Sequence, residues 1–82
     1  MNTEYHQAAK DLTFEDCWEA FKDMRRKKKK PMTELAEKIQ INRLKNLSDI
    51  ELEQKAMLLQ SADRYWDKVY EVKPEIKPTD DW

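Results

Sequence analysis

The sequence predicts an all-α fold, a small three-helix protein with flexible termini. Its apolar residues recur every three or four positions, which is the period of a helix that buries one face. Threonine and serine stand where these stretches begin and proline stands where they end, as helix caps and helix breakers do. With 82 residues, the chain is long enough for one domain with a small core.

The first helix is predicted over residues 13–30. Thr13 is a suitable N-cap, and Asp16 three residues later completes an approximate capping box. Pro31 predicts the end of this helix, because the residue before a proline avoids the helical region. Residues 1–12 show no clear period, so we expect a flexible N-terminus there. The apolar stripe of the helix consists of Phe14, Cys17, Trp18, Phe21 and Met24.

The second helix is predicted over residues 32–46 and the third over residues 48–72. In the sequence SDIE, Ser48 precedes Glu51 by three positions, which is the spacing of a capping box that opens a helix. Prolines follow the third helix, so residues 73–82 are predicted to form an extended tail. The helical domain is therefore expected to span residues 13–72.

The third predicted helix carries apolar residues on two sides. One stripe contains Met57, Leu58, Tyr65, Val69 and Val72, and the other contains Trp66 and Tyr70. A helix that is apolar on two sides has to bury both. Because the chain is small, we expect it to bury one side by self-association or against a partner helix.

Basic residues concentrate at the end of the first predicted helix. Seven of the 16 Lys and Arg residues lie within residues 22–30, although the formal net charge of the chain is −1. Such a positive pole is typical of anion contact, and the anion could be nucleic acid, an anionic membrane surface or an acidic protein surface. A solvated helix end is the alternative. The basic run consists of Arg25, Arg26, Lys27, Lys28, Lys29 and Lys30.

The composition excludes several common catalytic and metal sites. The chain has no glycine and one cysteine, which excludes a glycine-rich phosphate loop, an internal disulfide and a Cys-based zinc cluster. His6 and Cys17 could form a base–nucleophile pair, but Cys17 lies in the apolar stripe, where an inert buried thiol is expected. We therefore expect no enzymatic activity, no cofactor and no metal. The chain also lacks a membrane-spanning run and a signal-peptide core, so we expect a cytoplasmic protein.

A family resemblance rests on the segment DLTFEDCWEAFKDMRRKKKKPMTELAEKIQ, the length of 82 residues and the glycine-free, Lys/Glu-rich composition. On these features the whole chain resembles the lysis-inhibition accessory proteins of T-even bacteriophages, which are small cytoplasmic antiholins. The resemblance implies a protein that binds the cytosolic part of the holin, acts with a periplasmic antiholin and delays host lysis. No short motif defines this family, so the resemblance assigns no role to any residue.

The residues themselves predict a binding function rather than catalysis. We expect a partner-binding surface on the third helix, formed by Met57, Leu58, Tyr65 and Trp66, with the basic run of residues 25–30 steering the partner toward it. A nucleic-acid-binding regulator that uses the basic run is one alternative. An inhibitor of a host enzyme is another.

Overall fold

The computed structural model describes residues 3–72, and this part of the chain is all-α with four helices. Helix α4 is central, because it packs most extensively against α2, next against α1 and only lightly against α3. The irregular residues 65–72, here called the strap, follow α4. The predicted tail of residues 73–82 lies outside the described residues. The helices are α1 (Glu4–Ala9), α2 (Phe14–Lys27), α3 (Glu34–Leu47) and α4 (Glu51–Arg64).

Helix α1 (Glu4–Ala9) lies within the stretch of residues 1–12, where the sequence predicted no regular element. Thr3 and His6 form a capping box at the start of α1, in which the Thr3 amide donates to Nδ1 of His6 at 3.2 Å. His6 and Ala9 are buried, and α1 packs on α4. A helix of six residues is unstable alone, so packing on α4 stabilises it, and a single short helix gives no readable period in the sequence.

Helix α2 begins as predicted, and its capping box is present. The Asp16 amide donates to the Thr13 hydroxyl at 3.0 Å, and the Thr13 amide donates to the Asp16 carboxylate at 3.1 Å. The helix ends at Lys27, before the predicted end at residue 30. Lys29 adopts a left-handed conformation with φ of 63°, and the amides of Lys29 and Lys30 bond back to the last turn. This is a Schellman motif, which terminates the helix ahead of Pro31.

Helix α3 agrees closely with the second predicted helix. Thr33 caps it by accepting the Ala36 amide at 3.1 Å. Leu44 and Gln40 lie buried on its inner face, whereas Leu35 on its outer face is 67% exposed. This helix therefore contributes one face to the core and leaves the other in solvent.

Helix α4 ends at Arg64, so the prediction of a third helix over residues 48–72 was wrong at its C-terminal end. Tyr65 adopts a left-handed conformation with φ of 59°, and the Trp66 amide bonds to the carbonyl of Ser61 at 3.0 Å. This left-handed cap, in which the amides of Tyr65 and Trp66 both bond to the Ser61 carbonyl, turns the chain off the helix. The predicted Ser48–Glu51 capping box is also absent, because Ser48 Oγ accepts the Ile50 amide at 3.0 Å instead.

The strap closes the core from outside the helices. Val69 and Val72 are buried in the same cluster as the inward residues of α2 and α4. Side chains from α3 and α4 satisfy the strap's backbone: Arg43 Nε donates to the Val69 carbonyl at 2.6 Å, and Ser61 Oγ donates to the Lys68 carbonyl at 2.8 Å. Val69 and Val72, which the sequence placed in an apolar stripe of the third helix, therefore reach the core from an irregular segment.

An aromatic cleft beside the basic run

The four residues predicted to bind a partner divide into two pairs in the structure. Met57 and Leu58 are only 1% and 0% exposed, so they belong to the core and do not form a docking surface. They lie on the inner face of α4, which α2 and the strap cover. Tyr65 and Trp66 lie past the end of α4, where Tyr65 is 54% exposed. Of the predicted surface, only this second pair is accessible to a partner.

Tyr65 and Trp66 line an open cleft of about 550 Å³, here called the aromatic cleft. Trp66 and Tyr70 pack edge to face, with their ring centroids 5.2 Å apart. The Arg64 guanidinium lies 5.4 Å from the Trp66 ring centroid, and Arg43 lies 5.1 Å from that of Tyr70. Tyr70 is still 42% exposed, so the cleft presents aromatic surface that is held in place and partly open to solvent. Its lining residues are Lys28, Tyr65, Trp66, Asp67, Lys68 and Tyr70.

Part of the basic run fixes the cleft in place. Lys28 Nζ donates to the Tyr65 carbonyl at 2.6 Å and also to the carboxylate of Asp67. Arg25 donates to the Asp67 carbonyl at 2.9 Å and to the Lys30 carbonyl at the same distance. The hydrogen bond from Lys28 lowers the pKa of Asp67. These contacts join the C-terminal end of α2 to the strap, so the run has a structural role that its charge alone did not indicate.

The rest of the run faces solvent. Arg26 and Lys27 both lie near Asp23, at 3.5 and 3.3 Å. Exposed pairs of this kind contribute about 0–1 kcal/mol each, and they leave the cations accessible. Lys29 is exposed at the left-handed position of the α2 cap. The predicted steering residues therefore separate into a structural group and an outward group, and the outward group lies at the same end of α2 as the cleft.

Sequence reasoning missed Asp67 and Tyr70 as members of this site. The sequence placed Tyr70 in an apolar stripe of the third helix. Because α4 ends at Arg64, Tyr70 instead lies in the strap, where its ring packs against Trp66. Asp67 carried a usable signal, because it is an acidic residue between aromatic ones in a chain that also has a strong basic run. Its pairing with Lys28 joins positions that are distant in sequence, which periodicity does not reveal.

The residues considered for nucleophilic chemistry have other roles in the structure. Cys17 is fully buried in the core, and burial raises the pKa of its thiol. The His6 ring is held in the α1 cap, with Nε2 at 2.9 Å from Glu53 Oε2 but not aligned as a hydrogen bond. Residues 3–72 contain no group of three or more His, Cys, Asp or Glu side chains placed to hold a metal ion. Among the helices described, none is long and apolar enough to cross a bilayer.

The fold and the cleft define a class: a small all-α domain that exposes aromatic side chains beside a basic helix end. Within this class, the family described as YdaU C-terminal domain matches residues 8–81. Because the match covers nearly the whole chain, the chain belongs to the YdaU C-terminal domain family. No curated protein and no solved structure matches the chain. The family description states no activity.

Proposed function

We propose that this protein is a non-catalytic binding module that captures a segment of another protein in the aromatic cleft. The resemblance to the T-even antiholins suggests the partner, the cytosolic segment of a phage holin, and the place of action, the host cytoplasm. The observation that carries the proposal is the exposed cluster of Tyr65, Trp66 and Tyr70 beside the basic end of α2. Aromatic side chains of this kind provide most of the binding energy at many interfaces.

The backbone at Tyr65 supports a binding role for its side chain. A left-handed conformation costs a residue with a Cβ atom roughly 1–2 kcal/mol, and glycine would avoid that cost. Tyr65 is 54% exposed, so packing within the described chain offsets little of this cost. A strained aromatic residue at the edge of a cleft is the kind of outlier that accompanies binding sites.

The mechanism is a shift of the holin population. A protein that binds the unassembled holin stabilises that state and lowers the concentration of holin that is free to cluster. The outward cations Arg26, Lys27 and Lys29 raise the rate of encounter with an acidic segment through long-range attraction. The captured segment contacts the rings of the cleft, which supply short-range affinity.

Replacing Tyr65 tests this proposal without unfolding the domain. The variant Tyr65→Gly relieves the left-handed strain, so its stability is expected to equal or exceed that of the unmodified protein. Its affinity for a holin cytosolic peptide is expected to fall about thirtyfold, corresponding to a hot-spot loss of about 2 kcal/mol. Isothermal titration calorimetry measures the affinity, and urea denaturation measures the stability.

Lys29→Gly is the matched control for that experiment. It relieves the same kind of strain at the cap of α2, at a residue that does not line the cleft. Because this variant also removes one of the three outward cations, its peptide affinity is expected to fall only about two- to threefold, far less than the loss expected for Tyr65→Gly. Equal affinity of the Tyr65→Gly variant and the unmodified protein would contradict a binding role for the cleft.

A nucleic-acid-binding regulator is the second candidate, because aromatic rings beside cations can stack and neutralise a single strand. The structure leaves mainly Arg26, Lys27 and Lys29 directed outward, since Arg25, Lys28 and Lys30 contact the strap or the α2 terminus. Three neutralised phosphates predict a slope of roughly −2 for log K against log salt. We expect no binding to single-stranded DNA or RNA at low salt, and binding with that slope would favour this candidate instead.

Inhibition of a host enzyme is the remaining alternative for the cleft. Affinity capture with the unmodified chain and with the Tyr65→Gly variant separates it from the holin proposal. Recovery of holin by the unmodified chain alone supports the proposal. Recovery of a host enzyme in its place, with holin absent, would overturn it.

A further inference from the structure

The outer face of α3 is exposed, its N-terminal half is apolar, and its residues are separate from those that line the aromatic cleft. Leu35 and Ile39 are 67% and 52% exposed, and Asn42 and Asn46 continue the same face toward the C-terminus. This spacing of three and four residues places all four on one side of the helix. Helix α3 also makes the lightest contact with α4 among the three helices around it.

A groove runs beside the C-terminal half of this face. It has a volume of about 380 Å³ and is open to solvent. Leu35, at the N-terminal end of the same face, is the most exposed of the large apolar side chains in the described part of the chain. One end of α3 thus presents a projecting apolar side chain and the other end presents a recess. The groove is lined by Ile39, Asn42, Arg43, Asn46 and Leu47.

Charged residues follow one side of this face, here called the flank. The charge of the flank is negative at the N-terminal end of α3 and positive at the C-terminal end. Helical spacing places Glu34, Lys38 and Lys45 on this flank, with the acid in the first turn and Lys45 in the last. When two copies of a helix pair antiparallel, this flank of one copy meets the same flank of the other. Glu34 of each copy then faces Lys45 of the second copy. In a parallel two-fold pair, this flank would instead meet the opposite flank of the second copy, so Glu34 would not face Lys45.

From this arrangement we propose that the outer face of α3 binds the same face of a second copy in an antiparallel, two-fold symmetric dimer. Two-fold symmetry lets each Leu35 enter the groove of the other copy, so that two identical contacts form at once. The paired face is a single 14-residue helix, which is small for a protein interface. The dimer is therefore a weak, reversible one, with dissociation in the roughly micromolar to millimolar range.

Sedimentation velocity of the full chain over a concentration series up to about 1 mM tests the dimer. We expect the weight-average sedimentation coefficient to rise from the monomer value toward that of a dimer. The variant Leu35→Lys is expected to weaken association tenfold or more and to leave the circular dichroism spectrum unchanged, because the side chain is exposed. A monomer at every concentration, or a Leu35→Lys variant that associates normally, would overturn the proposal.

Charge exchange tests the antiparallel direction. Glu34→Lys and Lys45→Glu are each expected to weaken association several-fold, because each places like charges opposite one another. The variant that carries both changes restores the opposite-sign pairs and is expected to recover most of the association. Failure of the double variant to recover would contradict antiparallel pairing.

The Tyr65→Gly variant serves as the control from the other surface. It is expected to sediment like the unmodified chain, because Tyr65 is not among the residues of the α3 face or its groove. The dimer and the cleft's function can therefore fail independently. If the unmodified chain fails to bind peptide as proposed but dimerises normally, only the function of the cleft is contradicted. If the chain binds peptide but stays monomeric, only the α3 interface is contradicted.

Discussion

Two residues hold backbone conformations that glycine would adopt more readily. The sequence contains no glycine, yet α2 and α4 both end in caps that contain a left-handed residue. Lys29 and Tyr65 fill these positions, with φ of 63° and 59°. Sequence reasoning placed the end of α2 near Pro31 but gave no signal for either cap, because the usual marker of such a cap is a glycine.

The cap of α2 yields a prediction about stability. The variant Lys29→Gly removes the steric cost of the left-handed conformation, which exceeds the entropic cost of glycine, so we expect a gain of about 1 kcal/mol in the free energy of unfolding. Urea denaturation measures the change. Lys29→Ala, which keeps the Cβ atom, is the control and is expected to give no gain. Equal stability of the glycine and alanine variants would argue against strain at this residue.

Asp67 yields a prediction about pH. Its pKa is lowered in the folded protein, chiefly by the hydrogen bond from Lys28, so the ionised carboxylate stabilises the fold. This contribution is complete above the unfolded pKa of about 3.9 and is lost as the pH falls through the lower, folded pKa. We expect the variant Asp67→Asn to show a shallower loss of stability between about pH 5 and pH 2 than the unmodified chain.

The matched control for this pH series is Asp11→Asn, a change at an exposed residue outside the strap. Its acid profile is expected to follow that of the unmodified protein. The effect at Asp67 is small, because the side chain is 41% exposed and solvent screens the interaction. If both variants give identical profiles, the Lys28–Asp67 contact does not hold the strap in solution.

The helices differ in how well local sequence predicted where they begin and end. Thr13 and Asp16 predicted the start of α2 correctly, because a capping box acts within four residues. The residues of α1 carry a similar box, but His6 takes the place of the usual Glu or Gln at its third position. The end of α4 depends on the strap, whose partners Gln40 and Arg43 lie on α3. Contacts between distant residues of this kind leave no period in the sequence.

Helix α1 yields a prediction at its buried histidine. His6 is 2% exposed and takes part in both the α1 cap and the contact with α4. We expect His6→Ala to cost about 1–2 kcal/mol of stability, through the lost cap and the cavity that it leaves. Thermal denaturation followed by circular dichroism measures the loss. Gln7→Ala on the exposed side of the same helix is the control, and a His6→Ala variant as stable as this control would mean that α1 is not docked in solution.

The described chain covers most of its own apolar surface, which limits where a partner can bind. The sequence suggested a long helix with two apolar sides, and from that a docking stripe that included Met57 and Leu58. Because α4 ends early, the strap folds back and Val69 joins these two residues in the core. The large apolar surface that remains lies at the aromatic cleft, on the outer face of α3 and at Ile50.

The closed core yields a prediction for the cysteine. Cys17 is fully buried, and burial raises the pKa of its thiol, so a thiol reagent reacts only when the domain opens. For a stability of about 4–5 kcal/mol, we expect labelling to be at least a thousandfold slower than in the unfolded chain at the same pH. Mass spectrometry follows the reaction in native buffer and in urea. Labelling at a rate close to that of the unfolded chain would show that the core is open.

Mapping the bound surface residue by residue tests most directly whether the aromatic cleft is the partner-binding site. Titration of the isotope-labelled protein with a holin cytosolic peptide, followed by two-dimensional NMR, reports the shifts of individual amide and indole signals. We expect the largest changes at the Trp66 indole and at the amides of Lys28, Tyr65 and Tyr70, with little change along α3. Changes confined to α3, or spectra that do not respond to saturating peptide, would contradict binding at the cleft.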